Sequence, residues 1–212
     1  MTVQVYAFNK EDFDKHFKLM PQPQKIELLA GKGISYNTLR SVYLKGSAVK
    51  PVLYGELKSL PYATNAGPGV LVLNLSAAKS QPGAAEGYSI EIKANQVAIS
   101  AADQAGLFYG CQTLMQLIED AHAQQIEIPA CAITDYPEIA YRAVHLDLKH
   151  HLDASSYYYD MIDRLAKVKV NAIIVEFEDK LRYRKGPCNR SIACYFCRRV
   201  CSYKQVCKRK KH

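Results

Sequence analysis

Residues 133–152 read ITDYPEIAYRAVHLDLKHHL, residues 153–170 DASSYYYDMIDRLAKVKV and residues 171–185 NAIIVEFEDKLRYRK, and together they spell strand, helix, strand. Tyr141 to Leu148 is a short, mostly apolar run with His145 and Asp147 near its end. Asn171 to Phe177 is a second such run, leading into the acids Glu176, Glu178 and Asp179. Between them Tyr157, Met161, Ile162, Leu165 and Val168 share one helical face, with Asp153 or Ser155 placed to cap the start and Lys167 and Lys169 suited to the C-terminal end of the dipole. A helix joining two adjacent strands makes a βαβ crossover, which forces the strands parallel and puts their C-terminal ends on one rim. His145 and Asp147 from one strand, Glu176 and Glu178 from the other, are therefore candidates for a polar rim of the kind on which α/β proteins do chemistry. A solvated strand end accounts for the same four residues.

Outward from this stretch, the composition is that of a globular protein: 212 residues, 49% apolar and 23% charged, enough for one large domain or two small ones. No window approaches the roughly 18–20 uninterrupted apolar residues of a membrane span, and no membrane partner is expected. The N-terminus MTVQVYAFNKEDFDKHF has acids and bases where an export signal has its apolar region, so the chain as written reads as cytoplasmic, while a periplasmic or secreted location stays open for a full-length relative. The net charge of +8 comes from the end of the chain: Pro187 to His212 hold eight bases and no acid, leaving 20 of the 28 bases against 20 acids elsewhere. Cys188, Cys194, Cys197, Cys201 and Cys207 lie in the same tail, and only Cys111 and Cys131, read as core thiols, lie outside it. Composition thus breaks near Gly186, and residues 187–212 read as a non-native, disordered end. Cys194-x-x-Cys197 with Cys201, Cys207 and His212 lacks the second paired knuckle of a zinc module, so neither metal nor nucleic acid is expected there. His150-His151 reads as an exposed loop pair rather than a metal site, and no cofactor is implied.

In chain order, Val3 to Phe8 is a possible strand, followed by a charged segment without clear period, so residues 1–19 form an N-terminal segment of no assigned role. After Pro21-Gln22-Pro23-Gln24, Lys25 to Leu29 and Thr38 to Leu44 read as strands around the turn Gly31-Lys32-Gly33, and Ala48 to Leu60 as a helix. Val70 to Leu75 is apolar on both faces and hence a buried strand; Gly87 to Lys93 and Gln96 to Ser100 alternate as a hairpin with one wet face. Ala102 to His122, with Leu107, Cys111, Leu114, Met115 and Ile118 at helical spacing, packs on the preceding sheet, and Ile126 to Ile133 returns as a strand. Residues 20–135 therefore form an α+β layer.

Several ordered motifs carry a family resemblance: Pro21-Gln22-Pro23-Gln24, Glu86-Gly87-Tyr88, the run Ala105 to Gly110 with Gln112-Thr113-Leu114, and Asp135-Tyr136-Pro137 followed by Tyr141-Arg142 and Leu146-Asp147. Over about residues 20–185 the chain resembles family 20 of the glycoside hydrolases, the β-N-acetylhexosaminidases. Val144 to Lys149 and Val175 to Lys180 look more like the branch typified by hexosaminidase D. Ile174 and Glu176 stand where the other branch has the histidines of a His-x-His-x-x-Asp-Asp pattern, Asp179 keeps its first aspartate and Lys180 replaces its second.

The resemblance implies an α+β accessory domain (20–135) followed by the beginning of a (β/α)8 TIM barrel (136–186) that stops after its second strand. It implies hydrolysis of terminal β-linked N-acetylglucosamine or N-acetylgalactosamine from amino-sugar glycans by a substrate-assisted retaining route, with an Asp-Glu pair on the fourth barrel strand. No Asp-Glu dipeptide occurs in this sequence, so the chain reads as a fragment inactive by itself. Arg142 corresponds to the family's sugar-binding arginine and Asp179 to a residue supporting the acid. The reading from a different class is a non-catalytic carbohydrate-binding or interaction module.

Overall fold

A computed structural model describes residues 8–45, 53, 55–75, 85–148 and 153–176, which divide into two compact units meeting between Glu138 and Ile139. Lys149, His150, His151, Phe177 to Lys180, the tail and most of the expected strand at 3–8 lie outside the described residues.

The first unit is built on a six-stranded sheet in the order β1-β6-β4-β5-β3-β2. The strands are β1 (Lys25–Leu28), β2 (Ser41–Lys45), β3 (Val70–Leu75), β4 (Tyr88–Lys93), β5 (Gln96–Ala101) and β6 (Cys131–Asp135). β2, β3 and β5 run parallel, and the remaining neighbours are antiparallel. Register lines up apolar side chains in rows across the sheet: Val42, Leu71, Val97, Ile92 and Cys131 form one, and Leu44, Leu73, Ile99, Ile90 and Ile133 the next. Period-2 alternation puts those rows on one face, and the other face carries Glu27, Glu91, Lys93, Asn74 and Ser100.

The long helix α2 (Gln104–Gln124) covers the apolar face. Asp103 caps it, accepting from Gly106 N at 2.7 Å through one carboxylate oxygen and from Glu86 N at 2.9 Å through the other. Gly106 and Gly110 lie one turn apart on the side toward the sheet. A Cβ on Gly106 would stand 2.3 Å from the Gly87 carbonyl oxygen, and one on Gly110 would stand 2.5 Å from Ile99 Cγ2. The Ala-Gly-Leu-Phe-Tyr-Gly run is thus explained by contact, since two missing side chains let the helix backbone approach the sheet.

The segment before β1 has an order that the sequence did not suggest. α1 (Lys10–His16) opens with a capping box in which Asn9 and Asp12 satisfy each other's backbone N–H, and it buries Phe13 and Phe17 in the core. The chain then runs along α2, where three helix side chains grip alternate residues. Gln124 bonds His16 through both the ring Nδ1 and the carbonyl, Asp120 accepts from Lys18 N, and Gln116 both accepts from Met20 N and donates to Met20 O. Four helical residues rise about 6.0 Å and two extended residues span about 6.6 Å, so positions 116, 120 and 124 match positions 20, 18 and 16.

Several boundaries differ from the sequence reading, each for a local reason. In place of the helix Ala48 to Leu60, the described part holds only a 3-10 turn, Gly55–Ser59. The strand at Thr38 starts at Ser41, because Thr38 N closes a turn on Ser35 O at 2.9 Å. The strand placed at 126–133 is Cys131–Asp135; the chain leaves α2 through Gln125 in the left-handed region, and Ile128 makes only an isolated bridge to Ile34.

The second unit is β7 (Ala143–Asp147), α3 (Ser155–Lys167) and β8 (Ala172–Glu176), with β7 and β8 parallel and in register. Neither Asp153 nor Ser155 caps α3; Ala154 holds that position without a side-chain bond, and Asp153 N instead donates to Tyr158 Oη at 3.0 Å. The expected apolar face is rotated, since Tyr157 is 53% exposed while Tyr158 is buried with Leu148 and packs beside Leu146, Met161, Ile162 and Val175.

Candidate functional site

Parity along the paired strands decides what faces what in the second unit. Leu146, Leu148 and Val175 point to α3, so their neighbours in sequence occupy the opposite face. His145 is in register with Ile174 and Asp147 with Glu176, so all four share that face toward the C-terminal ends of the strands. His145 Nε2 lies 3.1 Å from Glu176 Oε2, with the two side chains 53% and 38% exposed. Asp147 stands directly across from Glu176 in the ladder. One imidazole and two carboxylates on a solvent-accessible sheet face can accept and donate hydrogen bonds to hydroxyls and amides. Glu178 and Asp179 follow on the same chain but lie outside the described residues.

Arg142 sits at the other end of β7. Its Nε donates to Lys169 O and its Nη1 to Ile139 O, each at 2.8 Å, and its backbone N–H donates to Asn171 Oδ1 at 2.9 Å. Asn171 Nδ2 in turn donates to Ala140 O at 2.7 Å. Arg142 and Asn171 together tie the entrances of the two strands. Five residue steps of strand, roughly 16 Å, separate that tie from the level of Glu176, so the structure does not bring Arg142 to the rim.

The first unit contains a buried polar group whose members the sequence reading quoted only as separate motif residues. Tyr88 Oη donates to Asp135 Oδ2 at 2.8 Å and lies 2.5 Å from Thr113 Oγ1, and Gln24 N approaches Asp135 Oδ1 at 3.3 Å. Burial and the Asp135 carboxylate together push the Tyr88 phenol well above its usual range. The sequence signal was that Gln24, Tyr88, Thr113 and Asp135 all lie in the motifs quoted above; the register that pairs Tyr88 with Asp135 came from the structure. Cys111 and Cys131 are buried thiols whose pKa burial pushes up to about 12, which marks them as packing groups rather than nucleophiles.

The profile described as glycosyl hydrolase family 20, domain 2 matches residues 16–136. The chain is 21% identical over 175 residues to the β-hexosaminidase B of Pseudoalteromonas piscicida, covering 82% of this chain and 22% of that protein. It is 29% identical over 97 residues to the N,N'-diacetylchitobiase of Vibrio harveyi, covering 46% and 11%. Among solved structures, the β-N-acetylhexosaminidase of Bacteroides fragilis aligns with a TM-score of 0.63 and 22% identity over 78% of this chain and 34% of that one, a likeness of fold. The chain therefore spans only about a tenth to a fifth of the length of these two curated relatives. The match over more than half of its residues, on the α+β sheet described above, places this chain in glycosyl hydrolase family 20 as a carrier of that family's domain 2.

Proposed function

We propose that the chain is the accessory domain and the opening of the catalytic barrel of a β-N-acetylhexosaminidase, an enzyme that removes terminal β-linked N-acetylglucosamine or N-acetylgalactosamine. The observation that carries this reading is continuity. The family profile ends at residue 136, whereas the structural likeness covers 78% of the chain and so runs past the accessory sheet. A parallel strand–helix–strand unit begins seven residues later, at Ala143. One face of that unit is covered by α3 and the other carries His145, Asp147 and Glu176, the arrangement of a (β/α)8 barrel with helices outside and polar groups at the C-terminal ends of its strands.

In this reading residues 20–135 are the accessory domain and 136–186 the first βαβ unit. The rim residues, with Glu178 and Asp179 following, line one side of the sugar site, and Asp179 supports the general acid. The acid itself and the aspartate that orients the substrate acetamide lie on a strand this sequence does not contain, since it has no Asp-Glu dipeptide. Arg142 enters the sugar site by resemblance alone. Its described bonds are those of a clamp on the strand entrance, and a sugar contact requires the guanidinium to serve both. The likeness to the hexosaminidase D branch rests on Val144 to Lys149 and Val175 to Lys180, with Ile174 and Glu176 where the other branch has its histidines.

The test is a chimera in which residues 16–176 replace the corresponding segment of the Bacteroides fragilis enzyme, assayed with a chromogenic β-N-acetylglucosaminide. The chimera is expected to turn over and the 212-residue chain is not. Turnover by the chain alone, or a folded chimera without activity, overturns the reading.

A further inference from the structure

Outside the second unit, the first unit has an open cleft of about 460 Å³ lined by Ser35, Asn37, Thr38, Arg40, Pro68 and Gly69. Its walls are two connections, one leading into β2 and one leading into β3. Thr38 N closes a turn within one wall on Ser35 O at 2.9 Å, Arg40 N joins it to the other wall at Gly69 O at 2.7 Å, and Gly69 N is held to Asn95 O in the β4–β5 turn at 2.7 Å. Gly69 has a φ of +72°, and a Cβ there would stand 2.9 Å from Thr38 O, so only glycine lets the walls approach this closely. The cleft is preformed rather than a gap between mobile loops.

Its chemistry is one-sided. The lining supplies a guanidinium, two hydroxyls and a carboxamide, with no acid among them. None of these four side chains has a partner among the described residues, although elsewhere in the unit Asp103, Gln116, Asp120 and Gln124 are all engaged. Four polar side chains without a partner among the described residues, lining one open cleft beside Pro68, match a ligand that combines an oxyanion with neighbouring hydroxyls. The guanidinium fork takes the oxyanion and the hydroxyls and amide take the rest.

We propose that this cleft is a binding site for a sugar acid, held through its carboxylate by Arg40 and through its hydroxyls by Ser35, Asn37 and Thr38. The site is independent of the glycosidase reading, because it lies wholly within the first unit and uses no rim residue.

The test is a nitrogen–proton NMR titration of the 212-residue chain with three probes, D-glucuronate, inorganic sulfate and N-acetylglucosamine. Glucuronate is expected to shift the amides of 35–40 and 67–69 saturably, with sulfate weaker and N-acetylglucosamine producing no saturable shift there. Arg40→Gln should weaken glucuronate binding by about ten-fold or more while leaving amides away from the cleft in place. Asn37→Ala should weaken it by a few-fold and carries the test if the first variant is misfolded. Sulfate binding as tightly as glucuronate, equal binding of the neutral sugar, shifts confined to other residues, or unchanged affinity in folded Arg40→Gln each overturns the proposal.

Discussion

Tyr88→Phe removes one oxygen from the core of the first unit and tests whether the group around Asp135 stabilises the fold. The ring is 1% exposed and Asp135 is 7% exposed, so water does not replace the lost bonds freely. The variant deletes a hydrogen bond to a buried carboxylate at 2.8 Å and a contact with Thr113 Oγ1 at 2.5 Å, and leaves the ring packing intact. A bond to a charged partner is worth about 1.5–3 kcal/mol and a neutral one about 1 kcal/mol. Asp135 keeps its contact with Gln24 N, so the net loss works out at about 2–3 kcal/mol. For a unit of this size that is a fall in melting temperature of about 10 °C. Calorimetry on the wild type, Tyr88→Phe, Thr113→Val and the double variant reads both the total and the coupling, which is expected to be about 1 kcal/mol. A loss below about 0.5 kcal/mol in Tyr88→Phe would refute the reasoning. The alkaline side gives a second check. The Tyr88 pKa is raised, so its contribution is fully present below the range in which an unfolded tyrosine ionises and is lost as pH climbs through and above the ordinary value of 10.0. Tyr88→Phe should flatten that decline.

Gly110→Ala sets a methyl 2.5 Å from Ile99 Cγ2, and overpacking of about 1–3 kcal/mol outweighs the gain of up to about 1 kcal/mol in helix propensity. Urea melts should show a net loss of about 1–2 kcal/mol, and a larger one for Gly106→Ala, whose neighbour is the Gly87 backbone. Native-state labelling with iodoacetamide at pH 8, read by peptide mass, should spare Cys111 and Cys131, whose pKa of about 12 leaves little thiolate; labelling at the rate of the denatured chain contradicts their burial. Gln124→Ala cuts the tie of His16 to α2 and should speed hydrogen exchange in 10–18 while leaving β4 and β5 unchanged. Glu176→Gln breaks a pair that is half exposed, so it should cost less than about 1 kcal/mol of stability. In the chimera the same change should lower turnover several-fold, and an unchanged rate would return the rim to the status of a solvated strand end.

What the sequence made legible was whatever local periodicity encodes. Tyr88, Ile90 and Ile92 alternate and Leu107, Cys111, Leu114 and Ile118 recur at helical spacing, and these residues make the core of the first unit. What stayed hidden depended on partners about a hundred residues away. Residues 9–19 look like an unpatterned charged run because their order comes from Gln116, Asp120 and Gln124 on α2. The phase of α3 was equally hidden. Tyr157, Tyr158 and Tyr159 are chemically identical, and a rotation of about 100° decides which one is buried; the structure buries Tyr158, which the sequence cannot distinguish from its neighbours.

The same distinction bears on the candidate site. That His145, Asp147 and Glu176 share a face follows from parity once the strands are known to be parallel and in register, and the register required the structure. Arg142 is different in kind. It is assigned by matching a motif, and a motif gives the position of a residue along the chain but not what its side chain is bonded to. Here the guanidinium already has two carbonyls at 2.8 Å. Arg142→Lys separates the two roles, because a single ammonium cannot reproduce the fork. If the clamp is its work, the second unit loses stability and Asn171 exchange rises with or without the rest of a barrel. If the sugar is its work, the chimera keeps its melting temperature and loses substrate affinity. The described geometry favours the first outcome.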